Sequence, residues 1–320
     1  MIVDSSGRTI NYLRLSITDR CNLRCRYCMP AEGVEPLSHD EVLRFEEVLR
    51  LCRILAALGI NVIKVTGGEP LARLGTADLI RELKSITGVG HVTMTSNGVI
   101  LGKYLPALAA AGLDAVNISL DTLDEKKYLE LTRTAGIADI LPAIDTAMEL
   151  GLRVKINCVP LKGFNEDDIV KLAAMARDRD ITVRFIELMP LGAASELQPL
   201  PAGEIVSLIE DEYGHMEQSA AKLGFGPASY YTLAGFTGHI GLISAVSRCF
   251  CSSCNRLRLT ASGLLKPCLS SDLSLDLRGL VRGNFSDGEI AEAIQKLAAA
   301  KPAGHNFGGA NDINMFRIGG

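Results

Sequence analysis

The sequence predicts an α/β protein built on a parallel sheet and followed by a smaller α+β extension. Extended and helical patterns alternate six times before about Leu191. Each extended run has one apolar and one polar face. Beyond Leu191 the alternation gives way to a Pro-, Gly- and Ala-rich connector and short strand-like runs, which places one unit over residues 1–200 and a second over 201–320.

The six strands are read at Leu13–Ile17, Val62–Thr66, His91–Thr95, Ala115–Leu120, Arg153–Val159 and Thr182–Glu187. Between the first two, Ser38-His39-Asp40-Glu41 has the form of a capping box, and Val42, Phe45, Val48, Leu49, Cys52 and Leu55 follow at helical spacing up to Gly59. Further amphipathic helices are expected over Leu79–Ile86, Ile137–Leu150 and Glu166–Arg177. The extension offers a helix over Gly203–Tyr213, strands at Ser229–Leu233, His239–Ser244, Arg256–Thr260 and Leu264–Leu269, and a last helix capped by Ser286 and Glu289.

Side-chain parity says what kind of sheet this is. One face carries Leu13/Leu15, Ile63/Val65, Val92/Met94, Ile118/Leu120, Val154/Ile156 and Val183/Phe185; the other carries Arg14/Ser16, Lys64/Thr66, Thr93/Thr95, Asn117/Ser119, Lys155/Asn157 and Thr182/Arg184. Parallel strands covered on both faces are apolar throughout, and a closed eight-stranded barrel fills its interior with branched aliphatics. A polar, cationic inner face predicts instead an incomplete barrel around a wet channel that holds a large anion.

At 320 residues and 48% hydrophobic, the chain can bury one large core or two modest ones. Its formal charge of -4 argues against a nucleic-acid or membrane-surface binder, so any anion must be met by a local cluster of cations. The most apolar windows, Leu49–Ile60 and Leu105–Ile118, are interrupted by Arg53, Asp114 and Asn117, and Met1-Ile2-Val3-Asp4 has no character of a targeting segment. No membrane association is expected, and the cytoplasm is the expected compartment. Nine cysteines, an odd number, fit metal-bound sulfur in a reducing compartment better than a disulfide framework.

Where the first strand ends, LRLSITDRCNLRCRYCMP places Cys21, Cys25 and Cys28 in a CxxxCxxC loop with no histidine. Three thiolates are one short of a closed four-sulfur site and leave one iron of a cubane open. Thr66-Gly67-Gly68-Glu69-Pro70 ends the second strand, with glycines that allow close backbone approach and a carboxylate able to meet an ammonium group. A second trio, Cys251, Cys254 and Cys268, lies in FCSSCNRLRLTASGLLKPCL. On spacing alone it is either another open cluster site or a zinc site with Cys249 as fourth ligand. Arg256 and Arg258 share a strand face beside it, as a phosphate clamp would require.

The CxxxCxxC loop with Tyr27 before its last cysteine, followed one βα unit later by Gly-Gly-Glu-Pro, resembles the radical S-adenosylmethionine (SAM) superfamily. That resemblance implies a partial (β/α)6, TIM-like barrel, a 4Fe-4S cluster on Cys21, Cys25 and Cys28, and SAM at its open iron. TSNG at Thr95–Gly98, ISLD at Ile118–Asp121, RFIELM at Arg184–Met189, CNRLRLT at Cys254–Thr260 and the terminal Gly319-Gly320 narrow the likeness. They resemble the branch of lyases that converts GTP to (8S)-3',8-cyclo-7,8-dihydroguanosine 5'-triphosphate, the first step of molybdenum cofactor biosynthesis. The resemblance implies hydrogen abstraction from ribose C3' and closure onto guanine C8. It gives Tyr27, Gly68, Ser119 and Met189 to SAM, and Arg14, Lys64, Thr95, Lys155, Arg256, Leu257 and Arg258 to GTP. A second 4Fe-4S cluster falls to Cys251, Cys254 and Cys268. It further implies a homodimer whose product passes to cyclic pyranopterin monophosphate synthase, and it names no electron donor. Lys64 stands where that branch has arginine, Pro190 replaces a frequent aspartate, and Cys249 is an additional thiol. The Gly-rich tail Gly304–Gly320 is expected to enter the active site. A radical SAM enzyme acting on a peptide, and a zinc-stabilised nucleotide-binding regulator, are the competing readings.

Overall fold

The structure is a computed structural model and describes residues 1–307 and 315–318. A short ribbon, β1 (Ile2–Val3) and β2 (Thr9–Ile10), precedes β3 (Tyr12–Ser16). Then come α1 (Phe45–Ala57), β4 (Val62–Thr66), α2 (Thr76–Ser85), β5 (His91–Ser96), α3 (Leu101–Ala110), β6 (Ala115–Ser119), α4 (Glu125–Thr132), α5 (Ile137–Glu149), β7 (Arg153–Cys158), α6 (Ile169–Ala174) and β8 (Thr182–Ile186). The remainder holds α7 (Ala202–Tyr213), β9 (Glu217–Gln218), β10 (Ser229–Thr232), β11 (His239–Ile243), β12 (Arg256–Leu259), β13 (Leu264–Lys266), β14 (Leu275–Asp276), α8 (Leu277–Arg282), α9 (Asp287–Ala299) and α10 (Met315–Ile318).

Strands β3 to β8 pair in sequence order, all parallel. The extension does not form a sheet of its own: β12 adds parallel to β3 at one edge, and β11 adds parallel to β8 at the other. The full order is β14-β13-β12-β3-β4-β5-β6-β7-β8-β11-β10-β9, an open sheet. Inward residues of all eight parallel strands line one cavity, from Arg256 and Arg258 on β12 through Arg14, Lys64, Thr95, Asn117, Lys155 and Arg184 to Ile243 on β11. The sheet therefore curls into an incomplete barrel, as the parity predicts. Its opposite face buries Leu13, Leu15, Ile63, Val65, Val92, Met94, Val116 and Ile118, with α1, α2, α3 and α5 side by side upon it.

Three boundaries differ from those read in the sequence. Ser38 and Glu41 bond to each other, but they close a turn, and α1 begins only at Phe45, where Glu47 Oε2 accepts from Arg44 N at 2.8 Å. The carbonyls of Asp40, Glu41 and Val42 accept from Arg278 and Arg282, so these tertiary contacts override the local cap. The helix expected over Glu166–Arg177 is regular only over Ile169–Ala174; Ala176 O and Arg177 O accept instead from Gly238 N and Thr237 N. Strand β13 ends at Lys266 because Pro267 has no N–H to continue the ladder.

Candidate active site

The cavity enclosed by the sheet measures about 2410 Å³ with its open mouth included. Both cysteine trios line it, and their positions follow from the topology. The first trio follows the C-terminal end of β3, whereas Cys251 and Cys254 precede the N-terminal end of β12, which runs parallel to β3 with Arg256 beside Tyr12. The trios therefore face each other along the strand direction, separated by on the order of 15 Å, the length of a five-residue strand.

At the first trio the chain is held close to its neighbours. Gly68 N donates to Thr18 O and Glu69 N to Arg20 O, both at 2.8 Å. A Cβ on Gly67 would meet Thr18 O at 2.7 Å, and one on Gly68 would strike the Arg20 backbone. The two glycines thus let the cysteine loop lie against the end of β4. The Glu69 carboxylate is fully buried and accepts from Leu71 N at 3.1 Å, Ser96 Oγ at 3.0 and 3.1 Å, and Asn97 N at 2.8 Å. This corrects the expectation that it meets an ammonium group: its oxygens are occupied by protein donors, and the residue is a brace. Asn97 Nδ2 in turn approaches Cys21 Sγ at 3.8 Å, and Leu23 N donates to the same sulfur at 3.4 Å. Tyr27 donates to Asp121 Oδ2 at 2.7 Å, while Val159 N donates to Oδ1 at 2.7 Å. Burial raises Asp121 to about 6 and Glu69 to about 7. Burial first, and the neighbouring thiols second, push Cys28 up to about 12 and Cys25 well above the usual thiol range.

The second trio lies among cations. Burial alone would raise Cys254, yet Arg256 and Lys301 bring it down to about 7. Lys301 Nζ donates to Arg256 O at 2.9 Å and to Pro267 O, and Arg8 Nη1 donates to Cys251 O at 2.7 Å. Arg256 also lies over the Phe250 ring at 4.9 Å.

Between the trios stand Arg14, Lys64, Lys155, Arg184 and Arg258. Register puts Arg258 beside Arg14 and Arg14 beside Lys64, and Asn117 beside Lys155. Lys64, Lys155, Arg184 and Arg258 are each at most 8% exposed. Burial, and then mutual repulsion, lowers Lys64 well below the usual lysine range and Lys155 to about 7; burial lowers Arg14 to about 10. Among the described residues, Lys64, Lys155 and Arg184 are met by neutral acceptors. Lys155 Nζ donates to Leu223 O, Arg184 Nε donates to Asn157 Oδ1 at 2.9 Å, and the Asn117 amide oxygen, turned inward, accepts from Lys64 and, at 3.0 Å, from Arg184. Gly241 leaves room for Arg184, whose Cγ a Cβ there would meet at 2.7 Å.

Among the site residues named from the sequence, Tyr27, Gly68, Ser119, Met189, Arg14, Lys64, Thr95, Lys155, Arg256, Arg258 and the six cysteines all face this cavity. Leu257 does not; alternation turns its side chain into the core. Described parts of the C-terminal tail reach the cavity too: His305, Phe307, Met315 and Phe316 line it. Gly319 and Gly320 lie outside the described residues. Arg184 and Asn157 were legible from inward parity but not given a ligand role. Lys301 and Arg8 carry no local signal, because their work depends on contacts more than 30 residues away.

The chain matches the Radical SAM superfamily over residues 15–176 and Molybdenum Cofactor Synthesis C over residues 181–307. Its fold resembles that of Streptococcus suis SuiB bound to S-adenosylmethionine, with a TM-score of 0.65 at 15% identity, over 90% of this chain and 68% of that one. The chain belongs to the radical SAM superfamily, whose members hold a 4Fe-4S cluster and SAM. Relatives named GTP 3',8-cyclase include one from Pelotomaculum thermopropionicum, 43% identical over 99% of both chains, and one from Thermodesulfovibrio yellowstonii, 45% identical over 94% of both. Within the superfamily, the chain belongs to the GTP 3',8-cyclase family.

Proposed function

We propose that this chain converts GTP to (8S)-3',8-cyclo-7,8-dihydroguanosine 5'-triphosphate, opening molybdenum cofactor biosynthesis. The observation that carries the reading is the sorting of charge within one cavity. A carboxylate, Asp121, stands at a strand end close enough to act on Cys25 of the first trio, and a bank of buried cations leads from there to the second. SAM is a cation at its sulfonium and amino groups, whereas a nucleoside triphosphate is a polyanion, so the two ends suit different ligands.

Cys21, Cys25 and Cys28 would hold one 4Fe-4S cluster, and Tyr27, Gly68, Ser119 and Met189 would contact SAM. A second 4Fe-4S cluster would be held by Cys251, Cys254 and Cys268, and Arg14, Lys64, Thr95, Lys155, Arg256 and Arg258 would hold GTP, with the side chain of Leu257 anchoring the two arginines' strand in the core. The first cluster, when bound, supplies the electron that cleaves SAM to methionine and a 5'-deoxyadenosyl radical. The protein's own residues do the positioning. The cations fix the triphosphate and with it the ribose. Tyr27 holds Asp121 at the SAM end, and the apolar Met189, Phe307 and Phe316 in the cavity lining would keep water and oxygen out. The division of labour follows the two segments, residues 1–200 for SAM and 201–320 for the second cluster. The same reading carries a homodimer in the cytoplasm and delivery of the product to cyclic pyranopterin monophosphate synthase.

Anaerobic incubation with GTP, SAM and a strong reductant tests it. The expected result is 5'-deoxyadenosine and a cyclised nucleotide in equal amounts. SAM cleavage with GTP recovered unchanged would refute it.

A further inference from the structure

Cys249 is a thiol to which the reaction gives no task. We propose that Cys249, Cys251 and His305 form a binding site for a single thiophilic divalent ion, zinc in the first place, and that Cys251 is shared between this site and the second cluster. The sulfurs of Cys249 and Cys251 and a ring nitrogen of His305 all lie within 4.8 Å of one another, and among the described residues this is the group of His, Cys, Asp and Glu side chains so close. Zinc binds sulfur at about 2.3 Å and imidazole at about 2.0–2.1 Å in a tetrahedron, which sets its ligand atoms roughly 3.5–4 Å apart. Small side-chain rotations close the set on one ion. The thiolates of a cubane bind different irons and stand farther apart, so the wider trio with Cys254 and Cys268 serves a cluster and the compact one does not.

A second observation is independent of the thiols. His305 Nε2 is buried without a hydrogen-bond partner, and the ring is held by stacking on Phe307, with centroids 4.0 Å apart and planes at 23°. An imidazole nitrogen left without a partner beside two thiols is open to ligation. Two sulfurs and one nitrogen, with a fourth position for water, suit zinc and exclude magnesium or calcium, which take oxygen ligands. Cys249 is exposed and, with Arg248 and Phe250, lines an outer cavity of about 1010 Å³, a route for the ion from solvent. Binding releases the thiol protons of Cys249 and Cys251 to water and changes no oxidation state. Since Cys251 cannot serve both sites, ion and second cluster exclude each other; this clause alone rests on the proposed function.

Two experiments on the full chain test the site. In a cluster-free background carrying Cys25→Ser, Cys28→Ser, Cys254→Ser and Cys268→Ser, a single cobalt ion is expected to bind with thiolate-to-metal absorption and to be displaced by zinc. Adding Cys249→Ser or His305→Ala should weaken binding by roughly tenfold or more. Cobalt binding that is undetectable there, or unchanged by Cys249→Ser, overturns the site. In the unmutated chain, equimolar zinc should hold anaerobic reconstitution to about four irons, and Cys249→Ser should restore about eight; equal iron with and without zinc overturns the exclusion. A chain that binds cobalt as expected but never exceeds about four irons without zinc refutes the second cluster and leaves the ion site standing.

Discussion

Lys155 donates to a backbone carbonyl, Leu223 O, and lies near Arg184 and Arg153. Burial and those charges bring it down to about 7, so at neutral pH the ligand-free chain is divided between its two protonation states. A triphosphate beside it favours the charged state and raises its pKa. The sign follows: affinity for GTP is fullest below pH 7 and falls as pH rises from 7 toward the pKa of the complex, by up to roughly tenfold per unit. Calorimetry at pH 8 in buffers of different ionisation heat should detect proton uptake on GTP binding, and Lys155→Met should remove it. Lys64 tests the same idea from the side of stability. It is 7% exposed with cations around it, so Lys64→Met should stabilise the ligand-free chain by about 1–3 kcal/mol in urea unfolding. The same change should weaken GTP binding by about 2–4 kcal/mol. A variant both less stable and unchanged in affinity would place Lys64 among ordinary structural residues.

The elements that matter most are the loops at the strand ends, and here the glycines do positional work. Gly68→Ala drives a Cβ into the Arg20 backbone, and relief requires the cysteine loop to move away from β4. Iron at the first cluster should be lost while iron at the second is retained, with a fold unchanged by circular dichroism; full iron at both would show that the close approach is not needed. The six barrel strands were legible because parity is a local signal with a period of two, and it survived intact from Leu13 to Phe185. The start of α1 was not, since Arg278 and Arg282, more than 200 residues away, take the carbonyls that the Ser38 cap would have organised. Glu69 misled for a related reason. Its sequence neighbours fix its position at the end of β4, but Ser96 and Asn97 of the next strand end decide which way its carboxylate turns.

On the scale of the whole molecule, the polar face of the sheet makes sense only as a chamber. The extension supplies both edges of the parallel sheet, β12 against β3 and β11 against β8, and with β12 it brings the second cysteine trio and two more arginines to the same cavity. The motifs announced the residues, but the pairing of β12 with β3 spans more than 240 positions and leaves no local pattern to read. Cations crowded into a buried space raise the energy of the ligand-free chain, and a polyanion relieves it. The most direct test is anaerobic thermal unfolding of the iron-loaded protein with GTP, GDP or guanosine at equal concentration. Protection should be largest for GTP, smaller for GDP and slight for guanosine, and it should weaken with salt. Equal protection by guanosine and GTP would mean that the chamber does not recognise phosphate, and the account would fail.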